Sequence, residues 1–427
     1  MDRIPLTASC LHSRLDSLIG ILKVGEMAET VTSGIGPESA IEMLKYRLAI
    51  VGAERSTVST GRILADQIIA DRDSPAADVS AMDGYAIRLS DLSHSNLLPV
   101  VGQIPAGQRP VDLPSEGVVK IFTGAVVPSG ADLVVPFEDV DECADGIRWR
   151  ESARRLIAGA NIRRRGENAR SGSVVLEAGQ QLTPASIAAA SNFGAVSALM
   201  HRRVTVSIIV TGNELLDCEV PPAPWQLRDS NGPTVEAVVI KYPWLSLTRR
   251  VRCGDDKAEL IKGLGIALAE SDVVILTGGV SRGDHDHVPE VIRQIGCEVV
   301  FHRLAIRPGQ PVLGAVGPTG QLILGLPGNP VSTACCLVRI GIPLMAYVGG
   351  HTNLTTREAK LRVSNPDPKS LPLHWMRLAR RSSSNFGEVE LIANRGSGDL
   401  VALARSDGFI EQAPGESGAG PWDYYSW

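Results

Sequence analysis

Three short apolar runs rich in β-branched residues, 204–210, 273–276 and 322–324, stand out in the second half of the chain. Runs of this kind, without polar alternation, suit strands buried on both faces, as in the middle of a parallel sheet. Each runs into a glycine turn: Thr211-Gly212, Gly278-Gly279, and Gly325-Leu326-Pro327-Gly328-Asn329-Pro330. If the three strands are parallel neighbours, their turns open at one carboxyl edge, where ligands bind in open α/β sheets. Between them, Leu260, Leu264 and Leu268 share one face of a helix expected over 256–270. A second helix is expected over 288–295, closed by Gly296. Residues 204–350 therefore read as a central α/β three-layer domain with a mostly parallel sheet.

Upstream the period changes. Ile41, Leu44, Leu48 and Val51 recur at helical spacing over 39–51, a second helix is expected over 61–70, and Thr183-Pro184 opens an apolar helical stretch that breaks at Gly194. Between these lie short β-branched runs at 98–101, 118–122, 133–136 and 147–149, broken by glycine and proline, the texture of a small β-rich domain. Residues 72–171 then form a β-rich inserted domain, and 38–71 with 172–203 a helical linker domain. Beyond 350, short runs at 359–363, 375–378, 388–392 and 400–404 predict a β-barrel-like domain over 351–427. Residues 1–37 read as an N-terminal extension. The fold class expected is multidomain α/β.

A chain of 427 residues has ample length for several cores. A net charge of −5 gives no general pull toward nucleic acid or membrane, so an anion site has to be built locally. Seven scattered cysteines without a C-x-x-C pair fit reduced thiols better than disulfides or zinc. With no signal-like start and no run of about 18 apolar residues, a cytoplasmic protein is expected.

The candidate chemistry gathers at the turns. Glu214, Asp229, Asp284 and Asp286 face Arg282, Arg303 and Arg307, and strand alternation would point the last two to one side. Carboxylates gathered where turn amides favour an anion would repel it unless a hard cation sat between, and Mg²⁺ held by carboxylates and ligand phosphates resolves the conflict. Asp229 in Arg228-Asp229-Ser230-Asn231-Gly232 also reads as a plain helix N-cap. The run Arg163-Arg164-Arg165 beside Glu167 reads either as a solvated basic loop or as a clamp for a phosphorylated ligand. No Walker A loop and no strand-following G-x-G-x-x-G is present, which argues against a generic P-loop ATPase or nicotinamide dehydrogenase.

Eight ordered segments resemble one family: SAMDGYA (80–86), TGAVVPSGA (123–131), NIRRRGE (161–167), TGNEL (211–215), DSN (229–231), GGVS (278–281) with Gly283 to Asp286, RPGQP (307–311) and LPGNPVS (326–332). They are similar to the motifs of the molybdopterin molybdenumtransferases, the bacterial MoeA type and the matching domain of gephyrin, over roughly residues 38–410. The resemblance implies a homodimeric enzyme that takes adenylylated molybdopterin, uses Mg²⁺ to hydrolyse the adenylyl group, and inserts molybdate to give molybdenum cofactor and AMP. It places Glu214, Asp229 and Asp286 around metal and nucleotide. Asp83 and Thr123 fall at functional positions facing that pocket from the partner subunit. Arg303, Arg307 and Ser397 match positions around molybdate or the pterin phosphate. Arg165, Gly278, Gly279 and Ser281 fall in its binding motifs, and Pro327 and Pro330 shape the last turn. The partners implied are a second copy, a molybdopterin adenylyltransferase and downstream maturation factors, with no nucleic acid or membrane. The chain departs from the pattern at Asn168, where many members have aspartate, and at Arg303, Arg307 and Gln310, where lysines are common. A paralogue that prefers tungstate or only hydrolyses the adenylate, and a non-catalytic gephyrin-like scaffold, remain alternative readings.

Overall fold

The computed structural model describes residues 34–427 except 95–96, 282, 284 and 285. The N-terminal extension up to 33 and the predicted Arg282 and Asp284 lie outside the described residues. The chain divides into two compact units: one holds the segment up to Glu54, Gly61–Ile63 and His201–Trp427, the other Arg55–Thr60 and Leu64–Met200.

In the first unit a six-stranded sheet runs in the order Leu245–Cys253, Val204–Thr211, Val273–Thr277, Leu322–Leu326, Leu313–Val316, Glu298–His302. The first four strands are parallel, and Leu313–Val316 lies antiparallel to both its neighbours. The three apolar runs are therefore parallel neighbours, the condition under which their turns open at one edge. Alternation along them separates two cores. Val206, Ile208, Val273, Ile275, Leu322 and Leu324 face one side. Ile209, Val274, Leu276 and Ile323 face the other, against Leu260 and Leu264 of Lys257–Glu270 and Val291 and Ile292 of Val288–Gln294. Two buried faces make the middle layer of three, the arrangement expected for parallel strands.

Helix Pro330–Val348 is long and apolar enough to cross a membrane, but 94% of its apolar window is buried inside the fold, which makes it a core helix. Helix Pro37–Lys45 adds Ala40, Ile41 and Leu44 to the same core. The C-terminal region is a closed barrel of Ala359–Val363, His374–Arg381, Glu388–Leu391, Gly408–Gln412 and Trp422–Ser426, shut by pairing of the second and fourth of these. The aromatic C-terminus forms the last strand, with Tyr424 fully buried. Residues 400–404 correct the sequence reading: they form a helix, Leu400–Ala404, whose N-cap Asp399 accepts the Ala402 N–H at 3.0 Å.

In the second unit, Gly84–Ile87, Val100–Ile104, Val118–Ile121 and Leu133–Pro136 form a mixed four-stranded sheet. The helix expected over 61–70 is absent. Leu64 instead bridges Met200, and Ile68–Ile69 pairs with Val174–Leu176. Leu64 and Ile68 nonetheless share a small core with Leu182 and Ala190, the latter on helix Pro184–Asn192.

Candidate functional site

The three strand exits converge in the first unit. Gly278 has φ +89° and Gly279 φ +66°. A Cβ on Gly278 would lie 2.7 Å from the Thr211 carbonyl oxygen, so the turn after Val273–Thr277 can only press against the neighbouring exit if that residue is glycine. A Cβ at Gly328 would sit 3.7 Å from the Gly278 Cα, so the third exit reaches the second through backbone. Around these turns opens a cavity of about 800 Å³ lined by Glu214, Asp229, Asn231, Asp255, Ser281 and Asp286. Gly278, Gly279, Pro327 and Pro330 also line it.

Each acidic group is held differently. Asp229 is buried, with 7% exposure. Its Oδ1 accepts the Gly232 N–H at 2.8 Å and its Oδ2 lies 3.4 Å from the Arg250 guanidinium, which also meets Glu236 at 2.9 Å. Asp229 thus caps the first turn of Asn231–Lys241 and lines the cavity as well; Ser230 makes no side-chain cap. Asn231 donates from Nδ2 to the Gly328 carbonyl at 2.7 Å, and its buried Oδ1 has no partner among the described residues. Asp286 accepts the Gly283 N–H at 2.6 Å and returns its own N–H to the Gly283 carbonyl at 2.9 Å. Glu214 is exposed. Asp255, which the sequence reading missed, is pinned by reciprocal 3.1 Å bonds with Asn213. No local motif marked it, because its partner lies on the neighbouring strand exit.

The donor set is hard oxygen. Glu214, Asp286 and the orphaned Asn231 Oδ1 suit Mg²⁺, which takes few protein ligands and completes its shell with water and ligand phosphate. Among the described residues, Glu214, Asp229 and Asp286 line one cavity but do not bring their ligand atoms within 4.8 Å of one another; the acidic and histidine groups that come that close are Glu38, His374 and Glu411. A guanidinium fills that place: Arg339 binds Glu411 at 2.5 Å and also pairs with Glu38. It is a buried ionic network.

A second cleft, of about 730 Å³, shares Pro311, Pro327 and Asn329 with the first cavity. Arg307, Gln310 and Ser397 line it, together with Lys369, Trp375 and Arg377 from the barrel side. The parallel pairing of Ile306–Arg307 with the start of His374–Arg381 sets Arg307 opposite Trp375. Arg377 lies 4.2 Å over the Trp375 ring and is clamped by Asp367 through Nη1 at 3.1 Å and Nη2 at 2.6 Å. That pair holds the Asp367 carboxyl below the usual carboxylate range. Arg303 corrects the alternation argument. It falls after the end of Glu298–His302 with φ +70°, does not line the cleft, and donates to Gln310 Oε1 at 3.2 Å.

The second unit carries the remaining predicted residues. Asp83 Oδ1 accepts the Thr123 N–H at 2.7 Å and the Thr123 hydroxyl at 2.8 Å, which holds the Asp83 carboxyl below its ordinary value. Arg163 pairs with Glu167, Arg164 with Asp78 and Arg165 with Asp73. Of the two readings of this run, the structure shows arginines bound internally to carboxylates. Asn168 accepts from Arg163 at 2.8 Å.

Comparison with known proteins agrees with this geometry. Residues 35–194 match the model of the MoeA N-terminal region (domain I and II), and 207–347 match a probable molybdopterin binding domain. The chain is 37% identical to the molybdopterin molybdenumtransferase of Haemophilus influenzae over 68% of this chain and 71% of that protein. It is 31% identical to that of Synechocystis sp. over 92% of this chain and all of the relative. Two crystal structures of a molybdopterin biosynthesis MoeA protein from Pyrococcus horikoshii superpose with TM-scores of 0.70 and 0.74, at 26% and 24% identity. Each covers 92% of this chain, and 97% and 98% of theirs is matched. A chain with these strand exits, its acidic cavity and such relatives belongs to the molybdopterin molybdenumtransferase family, transferases of molybdenum cofactor biosynthesis.

Proposed function

We propose that this transferase takes adenylylated molybdopterin as its pterin substrate and, with Mg²⁺, releases AMP as molybdate enters the dithiolene. One observation supports this most: a cavity lined by acidic side chains from separate loops shares a wall with a cleft lined by cations. A ligand with a metal-bound pyrophosphate at one end and an oxyanion acceptor at the other matches that pairing of charges.

Glu214 and Asp286 would hold the ion, and Asn231, whose Oδ1 has no hydrogen-bond partner among the described residues, lines the same cavity. Bound there, Mg²⁺ would offset the charge that builds on the phosphates as the adenylyl linkage is cleaved. The protein's own part is positioning. The glycine turn at 278–279 lets backbone approach the phosphates. Asp229, fixed by Gly232 and Arg250, orders the loop that carries Asn231. Arg307 and Ser397 would orient the incoming oxyanion, the guanidinium fork matching its tetrahedral edge. In a homodimer, Asp83 and Thr123 would face the cavity of the other subunit. The reading places the protein in the cytoplasm, between an adenylyltransferase and the factors that receive the finished cofactor.

Purified protein given adenylylated molybdopterin, Mg²⁺ and molybdate should release AMP and yield active cofactor. Asp229→Ala should lower AMP release by a hundredfold or more, on the order expected for a group that positions reacting parts. Turnover that Asp229→Ala leaves unchanged would remove the acidic cavity from the reaction.

A further inference from the structure

We propose that Trp225 is a specificity-determining residue of this chain, an indole platform on which the base of a nucleotide stacks at the mouth of the acidic cavity. The identity of that base rests on the adenylylated substrate proposed above; the geometry that presents the indole does not.

Residues 217–226 form a strap between Leu215–Leu216 and Leu227–Arg228, two short strands that pair in parallel. Its neck is tied several times. The Asp229 N–H donates to the Leu216 carbonyl at 2.8 Å, the Cys218 thiol to the Asp229 carbonyl at 3.1 Å, and Arg228 Nε to the Val220 carbonyl at 3.2 Å. At the tip, Ala223-Pro224-Trp225-Gln226 closes a tight turn. The Gln226 N–H donates to the Ala223 carbonyl at 2.9 Å, and the Ala223 N–H to Gln226 Oε1 at 3.1 Å. Proline in second place fixes the backbone ahead of the indole.

This strap does not fold its apolar side chains inward. Trp225 is 78% exposed, Leu227 59% and Val220 43%. Among the described residues the Trp225 ring packs on no other ring and its Nε1 has no acceptor. Leaving an indole in water forgoes one of the largest apolar burials a side chain offers. Here the exposure falls beside a ligand cavity: Pro222 and Gln226, on either side of Trp225 in the chain, and Leu227 line the space that Glu214 and Asp286 also line. The strap thus presents a flat apolar ring and the Gln226 amide, whose Nε2 carries no bond among the described residues. Those groups suit an uncharged heterocycle rather than a phosphate, since every base has a face that stacks on an aromatic ring. A second copy of the chain is a poorer match, because three side chains are a small part of the roughly 800 Å² that a stable interface buries on each partner.

The test measures binding of AMP and of ribose 5-phosphate to the purified full chain with Mg²⁺ by calorimetry. Trp225→Ala should weaken AMP about tenfold or more, as expected for loss of one stacked base, and leave ribose 5-phosphate, which has no base, within about twofold. Trp225→Phe, which keeps a ring, should recover most of the loss. Because Trp225 is exposed, an unchanged melting temperature shows that the variants are folded. AMP affinity within twofold of wild type in Trp225→Ala overturns the proposal, as does an equal loss of both ligands or a wild-type chain that binds AMP no better than ribose 5-phosphate. A smaller assembly of Trp225→Ala in size-exclusion chromatography overturns it too, because the indole then covers a second copy. AMP release from adenylylated molybdopterin, assayed in parallel, tests the substrate reading separately. Normal release with AMP binding indifferent to Trp225 sinks the inference and leaves that reading standing; AMP binding that depends on Trp225 in a chain that releases no AMP does the reverse.

Discussion

Arg163, Arg164 and Arg165 stand side by side in the sequence, and each meets a carboxylate within its own unit. Arg307, Lys369 and Arg377 are spread over 71 positions, gather in one cleft, and share a single carboxylate. The conspicuous basic run is thus electrically quiet, and the inconspicuous set carries the field. A charge cluster read along a chain reports composition; what a ligand meets is the remainder after folding has paired opposite signs.

The strongest challenge to this contrast is Arg307→Ala. If the cleft takes an oxyanion as proposed, this should reduce its binding on the order of a hundredfold or more, because Arg307 is a lining cation that pairs with no carboxylate among the described residues. A titration of molybdate into the variant checks it, and near wild-type affinity would erase the difference between the two regions.

A third region extends the comparison to a polar group with neither partner nor opposite charge. His351 packs edge-on against Trp244 at 4.6 Å between ring centroids, and its Nε2 is buried without a hydrogen bond. Burial pushes its pKa down to about 4, with His201 adding to the effect. The folded state thus stays neutral while the unfolded chain takes up a proton below its ordinary value. Stability should fall as pH drops from about 6.5 to about 4, by about 3 kcal/mol, and level off for this group below that. His351→Phe should flatten this part of a denaturant-unfolding profile against pH. A slope that persists would mean that other groups dominate there.

The smallest effect is expected in the basic run. Arg165→Ala should leave oxyanion binding unchanged within twofold and move the melting temperature by no more than about 2 °C, as for exposed ion pairs. A loss of binding comparable to that of Arg307→Ala would revive the clamp reading of residues 163–165.

The central sheet was legible because its strands are apolar on both faces and end in glycines, so composition and punctuation agree. Residues 400–404 were misread because five apolar residues are too few to show a period, and the deciding contact is the Asp399 cap. Residues 61–70 were misread for the opposite reason. Leu64 and Ile68 have helical spacing, but their backbone partners are Met200 and the strand Val174–Leu176, more than a hundred positions away. At the site, Glu214, Asp229, Asp286, Arg307 and Ser397 lay on recognisable turns, and the structure puts each on one of two adjoining cavities. Asp255, Lys369, Trp375 and Arg377 carried no local signal. They reach those cavities through strand pairing and turns distant in the chain.

The pairing that matters most there is short. Only Ile306 and Arg307 join the edge of the barrel, opposite His374 and Trp375. Successive strand residues point to opposite faces, so a slip of a single rung would set Arg307 opposite Met376 or His374 in place of Trp375. Two rungs of ladder thus set where Arg307 stands on the rim of the cleft, and small strains reaching the barrel from elsewhere would be felt there as a shift of that guanidinium.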